Sequence, residues 1–146
     1  DLVVIMLGTN DMKYVDAKGC TDGLEKLVKM VLDVNERFGT SSAVFMRAPS
    51  LLIISPVHLK SSYGTSGYDD IKESRLLAGC FEKLADRYGV FYMDAAGCAE
   101  ASDVDGEHLN EEAHQELGRA VAEKIMEIAG SSRRARCCRI AGVFRS

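Results

Sequence analysis

Strands of the fully buried type alternating with amphipathic helices predict an α/β protein, a three-layer α/β/α sandwich around a parallel sheet. Three observations carry this. Leu2-Val-Val-Ile-Met-Leu7 and Leu51-Leu-Ile-Ile54 are continuous apolar runs of strand length, the pattern of parallel strands covered on both faces. Between them, apolar residues recur at helical spacing in stretches bounded by capping signals. The resulting order is strand, helix, strand, helix, strand, loop, helix, and helical crossovers of this kind return each strand parallel to the last.

The first strand stops at Gly8-Thr9-Asn10-Asp11. Asp22-Gly-Leu-Glu25 has the form of a capping box, after which Leu24, Leu27, Val28, Val31 and Val34 mark one helical face up to Gly39. A Gly/Ser/Pro-containing stretch, Thr40 to Ser50, leads into the second strand, which Ser55-Pro56 ends. Lys60 to Tyr68 is a polar loop. Asp70-x-x-Glu73 opens a second helix with an apolar face of Leu77, Cys80, Phe81, Leu84 and Tyr88, closed by Gly89. Val90 to Met93 is the third strand, and Asp94 to His108 a loop rich in Ala, Gly and Asp. Asn110 caps the last helix, with Glu111 and Glu112 in its first turn, where the helix dipole favours anions. Its buried stripe is Ala113, Leu117, Ala120, Val121, Ile125 and Ile128, and Gly130 is its expected end. His114 falls off that stripe and is expected in solvent.

Composition narrows the function classes. With 47% hydrophobic and 27% charged residues over 146 positions, the chain can bury a core and is no disordered or low-complexity segment. It has no apolar run of about 18 residues that could span a bilayer, so no membrane role is expected. The net charge of −4 averages two unlike regions. Residues 131–146 hold five arginines and no acid, leaving residues 1–130 with 13 basic against 22 acidic residues, a net of −9. Such an acidic body points away from nucleic acid. Residues 131–146 read as a basic, disordered tail. The five cysteines, at 20, 80, 98, 137 and 138, form no C-x-x-C or Cys/His cluster, so neither a zinc site nor a disulfide framework is expected. Reduced thiols fit a cytoplasmic setting. Cys80 reads as a core residue and Cys98 as an inert thiol.

In sheets of this type ligands gather at the carboxyl ends of the strands. Two constellations lie there. Gly8-Thr9-Asn10-Asp11 could bring backbone close to a ligand at Gly8 and present the Asn10 amide to an oxyanion, or it could be a plain turn in which Asn10 or Asp11 bonds the local backbone. Asp105-Gly-Glu-His108 sets a carboxylate three residues before an imidazole. It could hold one ring nitrogen and leave the other as a general base, or be a solvated polar turn.

Taken together, the strand-terminal G-x-N-D and the late D-x-x-H before a C-terminal helix resemble two sequence blocks of the SGNH hydrolases, the GDSL-type esterases. Leu7-Gly-Thr-Asn-Asp-Met-Lys13, Ile54-Ser-Pro56, Phe91-Tyr-Met-Asp94 and Val104-Asp-Gly-Glu-His-Leu109 are similar to the arylesterase and acyltransferase branch of that superfamily. The resemblance spans roughly residues 1 to 129. It implies a flavodoxin-like SGNH hydrolase fold, N-terminally truncated, over residues 1–130, and a serine esterase acting on short-chain carboxylic esters or transferring their acyl groups. It implies His108 as the general base, Asp105 as its orienting carboxylate, Asn10 as an oxyanion donor and Gly8 as a point of close substrate approach. Asp11 would support the loop. A small-molecule ester is the expected partner, with no metal or organic cofactor, and the longer loops fit a homo-oligomer. His58, just after the second strand, reads either as a pocket-lining residue or as a plain loop histidine.

The family's nucleophilic serine lies in a Gly-Asp-Ser block ahead of G-x-N-D, and this chain holds no such block. Ser55 is followed by proline, and Ser66 has no strand before it, so neither forms a nucleophile elbow. No nucleophile is expected in this chain, which on its own should be inactive. A non-catalytic or nucleotide-binding α/β module is the rival, and the lack of G-x-G-x-x-G or G-x-x-x-x-G-K-[ST] weighs against it.

Overall fold

The computed structural model describes residues 2–38, 49–65 and 67–143, with side chains over all of these except 34–38 and 131–143. Three strands form one parallel sheet in the order β1 (Leu2–Met6), β2 (Ser50–Ser55), β3 (Phe91–Asp94). The register pairs Val3 with Leu51, Ile5 with Ile53, and Ile53 with Tyr92. Helices α1 (Ala17–Phe38) and α2 (Asp70–Tyr88) make the two crossovers, and α3 (Glu111–Val143) follows the last strand. This is the predicted α/β architecture, with strand ends shifted by about one residue.

The pleat of β2 divides the core. Leu51 and Ile53 point toward α1 and α2, where they meet Leu24, Val28, Leu77, Phe81 and Leu84. Leu52 and Ile54 point the other way, into a second cluster with Ala113, Leu117 and Ile128 of α3. Alternation along a strand sends successive side chains to opposite faces, so one apolar run serves both layers. The crossover helices share one face because two successive right-handed crossovers in the same direction place them there.

β1 departs from the expectation of burial on both faces. Val3 and Ile5 pack against α1 and α2, but Val4 and Met6 on the opposite face are 40% and 42% exposed. β1 stands at the edge of the sheet, and on this face only its first residue, Leu2, packs against the cluster that α3 forms with β2 and β3. Among the described residues nothing pairs with its outer edge.

Three helix boundaries also differ from the sequence reading. α1 begins at Ala17, not at the Asp22 capping box. Asp16 Oδ1 accepts from Gly19 N at 2.8 Å, and Glu73 Oε2 reaches across from α2 to accept from Ala17 N at 3.0 Å. These bonds satisfy donors that a helix start leaves open. Asp22 lies within the helix, paired with Lys18 at 2.6 Å. α2 is capped by Asp69, whose Oδ1 accepts from Lys72 N. Asp70 turns inward instead, fully buried, and accepts from Tyr63 N at 2.8 Å. Gly89 closes α2 in the left-handed conformation (φ 62°), as expected. Asn110 caps α3 through Ala113 N at 2.9 Å, but α3 does not stop at Gly130. It continues to Val143, so most of the residues read as a disordered tail are helical. A glycine inside a helix costs about 1 kcal/mol relative to alanine, which weakens a helix without ending it when φ stays negative, and Gly130 is not among the glycines with positive φ. The predicted stretch Thr40 to Ser50, the Val34 side chain and Ser66 fall largely or wholly outside the described residues. No described helix is long and apolar enough to cross a membrane.

Leu77 is fully buried at the centre of the α2 face and packs beneath the turn that follows β1. Leu77→Ala should lower stability by about 2–5 kcal/mol, the range for leucine truncation in a packed core, measured by chemical denaturation. A loss below about 1 kcal/mol would show that this face is not tightly packed.

Candidate active site

The carboxyl ends of the strands carry three segments that converge. After β1, Gly8 takes φ +124°, a conformation that side chains rarely permit. Its backbone carbonyl accepts from Met12 N at 3.2 Å, which starts a short 3-10 turn over Asn10–Lys13. The glycine thereby turns the chain from strand to helix and leaves Asn10 exposed at the sheet edge.

After β3, residues 102–108 form a closed turn. Ser102 N donates to the His108 carbonyl at 2.7 Å, and Gly106 N donates to the Ser102 carbonyl at 2.8 Å. Gly106 is buried with φ +71°, and an added Cβ would lie 2.6 Å from Ser61 N and against its side chain. Lys60 N donates to the Gly106 carbonyl at 2.8 Å, so the turn is clamped to the segment after β2. Lys60 Nζ adds ion pairs to Asp103 at 2.8 Å and Glu100 at 3.2 Å.

This turn sets Asp105 against His108. Asp105 Oδ2 lies 2.7 Å from His108 Nδ1, while Oδ1 accepts from the backbone N–H groups of Glu107 and His108, each at 2.9 Å. Those two N–H groups, and then the imidazole, hold the Asp105 carboxyl down at about 2. With Nδ1 facing a carboxylate, Nε2 of His108 is the nitrogen left to act as acceptor. Asn10 and His108 line one hollow of about 210 Å³ together with Met6, Thr9, Pro56 and Leu117. Met6, Pro56, Val57, Ala95, Leu109 and Leu117 make much of its wall apolar, and Thr9, Asn10, Glu107, His108 and His114 supply its polar groups, a make-up that suits a small ligand.

Other expected residues fall elsewhere. His58 lines a separate hollow with Arg75 and Ala99. Gly8 is buried, and a Cβ there would point at Leu77 and Phe81 in the core; its glycine character serves the backbone turn and not an approach to the hollow. His114 is exposed, as expected, and sits at the rim of the hollow. Ser55 is fully buried, 2.9 Å from both Tyr92 OH and Asp94 Oδ1. Cys80 is half-buried against the core. Burial pushes the Cys98 thiol up, which suits an inert thiol. Among the residues lining the hollow, Thr9 is the only one bearing a hydroxyl group.

Several residues in the assembly carry no sequence signal of their own role. Gly106 and Ser102 shape the turn, Tyr63 OH donates to the Thr9 carbonyl at 3.2 Å, and Lys13 pairs with Glu107 at 3.3 Å. Lys13 and Glu107 stand inside the two motifs, but their contact joins distant parts of the chain.

A strand-end amide and an aspartate-paired histidine thus line one hollow at the carboxyl ends of a parallel α/β sheet. The chain belongs to the GDSL-like lipase/acylhydrolase family, whose pattern matches residues 1–121. Solved structures agree. The chain is similar to a protein assigned as an arylesterase from Agrobacterium tumefaciens strain C58, at 35% identity and TM-score 0.73 over 88% of this chain. It is also similar to a carbohydrate acetylesterase from Sinorhizobium meliloti (32%, TM-score 0.76, 88%) and to the aryl esterase of M. smegmatis (30%, 0.76, 87%). The chain spans 61%, 61% and 60% of their respective lengths. Among curated proteins none matches.

Two outcomes test this geometry. Gly106→Ala should disrupt the turn, because the left-handed backbone and the contact with Ser61 both oppose a methyl group; a crystal structure of the variant should show the 102–108 turn displaced from Lys60–Ser61. Asp105 should titrate near 2 by carbon-13 NMR, below the ordinary 3.8. A depressed carboxyl stabilises the fold above its ordinary value and loses that contribution as pH falls through about 2. In His108→Ala the titration should move upward, since one of the groups favouring the carboxylate is gone.

Proposed function

We propose that these residues form the acid–base and oxyanion part of a serine esterase that cleaves short-chain carboxylic esters, with transfer of the acyl group to an alcohol as the competing outcome. The observation that carries this reading is the Asp105–His108 pair at 2.7 Å with Asn10 on the same hollow. The remaining imidazole nitrogen accepts from a donor such as a hydroxyl group, and an amide N–H on the same hollow suits a developing negative charge.

In this account the nucleophilic serine comes from residues outside this chain, delivered beside the outer edge of β1. Three points support it: among the described residues the edge is unpaired, the hollow lies next to Met6 on that strand, and no serine lines the hollow. His108 Nε2 takes the serine proton as Oγ attacks the ester carbonyl. Asp105 stabilises the imidazolium and keeps its orientation. Asn10 donates to the tetrahedral oxyanion, and His108 then returns the proton to the leaving alcohol. Water, or another alcohol, repeats the sequence to free the acyl group. The apolar walls, Met6, Pro56 and Leu117, suit a small acyl group.

Hydrolysis of an aryl acetate by the full-length polypeptide carrying this chain is the test. His108→Ala should abolish turnover, and Asp105→Asn should lower kcat by up to about 10⁴-fold, as in hydrolases with this arrangement. Undiminished activity in His108→Ala would overturn the assignment.

A further inference from the structure

Among the described residues, Lys13 is the one cation that touches both segments of the site. Its Nζ donates to Asn10 Oδ1 at 3.0 Å, lies 3.3 Å from Glu107 Oε1, and sits 4.7 Å from the centre of the Tyr63 ring. The side chain is about one-third exposed and Glu107 about one-sixth, so this pairing is partly screened from water. Tyr63 in turn donates to the Thr9 carbonyl, and its backbone N–H is held by buried Asp70. Burial, then the neighbouring Glu107 carboxylate, pushes the Tyr63 phenol up. It therefore stays a neutral hydrogen-bond donor.

An ammonium group has donors only, whereas a primary amide has one acceptor and one donor end. The contact with Lys13 therefore fixes which end of Asn10 faces which way. Oδ1 is held toward Lys13, and a flip would set an NH₂ group against an NH₃⁺ group. The donor end, Nδ2, is the end left for the hollow that Asn10 shares with His108. A cation at Oδ1 also polarises the amide and makes its N–H groups stronger donors. The same lysine ties the Asn10 turn to Glu107, the residue next to His108, so the oxyanion donor and the base are kept in one spatial relation.

Building on the esterase reading above, we propose that Lys13 is a positioning residue for catalysis. It locks the Asn10 amide with its donor end toward the oxyanion and couples that amide to the turn carrying His108. It touches neither substrate nor the reacting atoms.

The test is steady-state hydrolysis of an aryl acetate by the full-length polypeptide, with Lys13→Met and Lys13→Arg made in the wild-type and Asn10→Ala backgrounds, and thermal unfolding of each variant to compare fold. Lys13→Met should lower kcat about 10- to 100-fold with little change in KM, part of the roughly 10²- to 10³-fold cost of losing an oxyanion donor. Lys13→Arg, which keeps the charge and the donors, should recover most of that loss. In the Asn10→Ala background Lys13→Met should cost nothing further, because the group it acts through is gone. An unchanged kcat in Lys13→Met, an equal loss in both backgrounds, or a loss that merely follows lowered thermal stability would overturn the proposal. If Lys13→Met prevents folding, the comparison of Lys13→Arg in the two backgrounds decides: any loss it causes must vanish with Asn10→Ala. Failure of the esterase reading is separate, because it shows as full activity in Asn10→Ala and His108→Ala.

Discussion

The burial of β2 is the constraint on which the rest depends. It is the central strand, and Leu51 to Val57 are buried without interruption. Its alternate side chains anchor α1 and α2 on one face and α3 on the other, so both helical layers take their position from the same few residues. At its end, the Ser55 hydroxyl donates to Asp94 Oδ1 and lies 2.9 Å from the Tyr92 hydroxyl, which lies 2.9 Å from the Ala78 carbonyl of α2. That buried network joins β2, β3 and α2 where the strands finish. A polar group this deep is costly unless bonded, and here each hydroxyl has its partner.

With the strand ends set, the site is built from turns rather than from regular structure. Gly8 and Gly106 supply the two backbone conformations that ordinary residues resist, and each is followed within two residues by a polar side chain of the site. The 102–108 turn is closed on itself by Ser102 and clamped to Lys60. Asp105 is exposed yet strongly acidic, because two backbone N–H groups converge on it. Local hydrogen bonding, and not burial, favours the ionised carboxylate beside His108. Preorganisation of this sort spares the reaction the cost of arranging its dipoles.

Much of this was legible in the sequence. The apolar runs at 2–7 and 51–54 announced buried parallel strands, and Gly89 and Asn110 marked helix ends that the structure retains. The pairing of Asp105 with His108 followed from their spacing. What stayed hidden depends on distant contacts. Asp22 and Glu25 look like a capping box, but Asp16 and Glu73 start α1, and the Glu73 bond joins residues 56 positions apart. The exposure of Val4 and Met6 reflects which strand stands at the edge, a property of the sheet and not of the run. Gly130 looks like a helix end because local pattern cannot tell a weak helical position from a stop. His58 lies three residues past the end of β2 and Pro56 one, and of the two only Pro56 lines the hollow of Asn10 and His108.

In the proposed esterase, Asn10 and His108 act on one reacting centre. A crystal structure of the full-length polypeptide after reaction with a small alkyl phosphonate ester tests it most directly. A phosphonylated serine is expected beside the edge of β1, with its phosphoryl oxygen about 2.7–3.1 Å from Asn10 Nδ2, the distance an oxyanion donor requires, and His108 Nε2 within hydrogen-bond reach of the serine Oγ. A phosphonyl group bound elsewhere, or one in this hollow with Asn10 turned to present Oδ1, would contradict it.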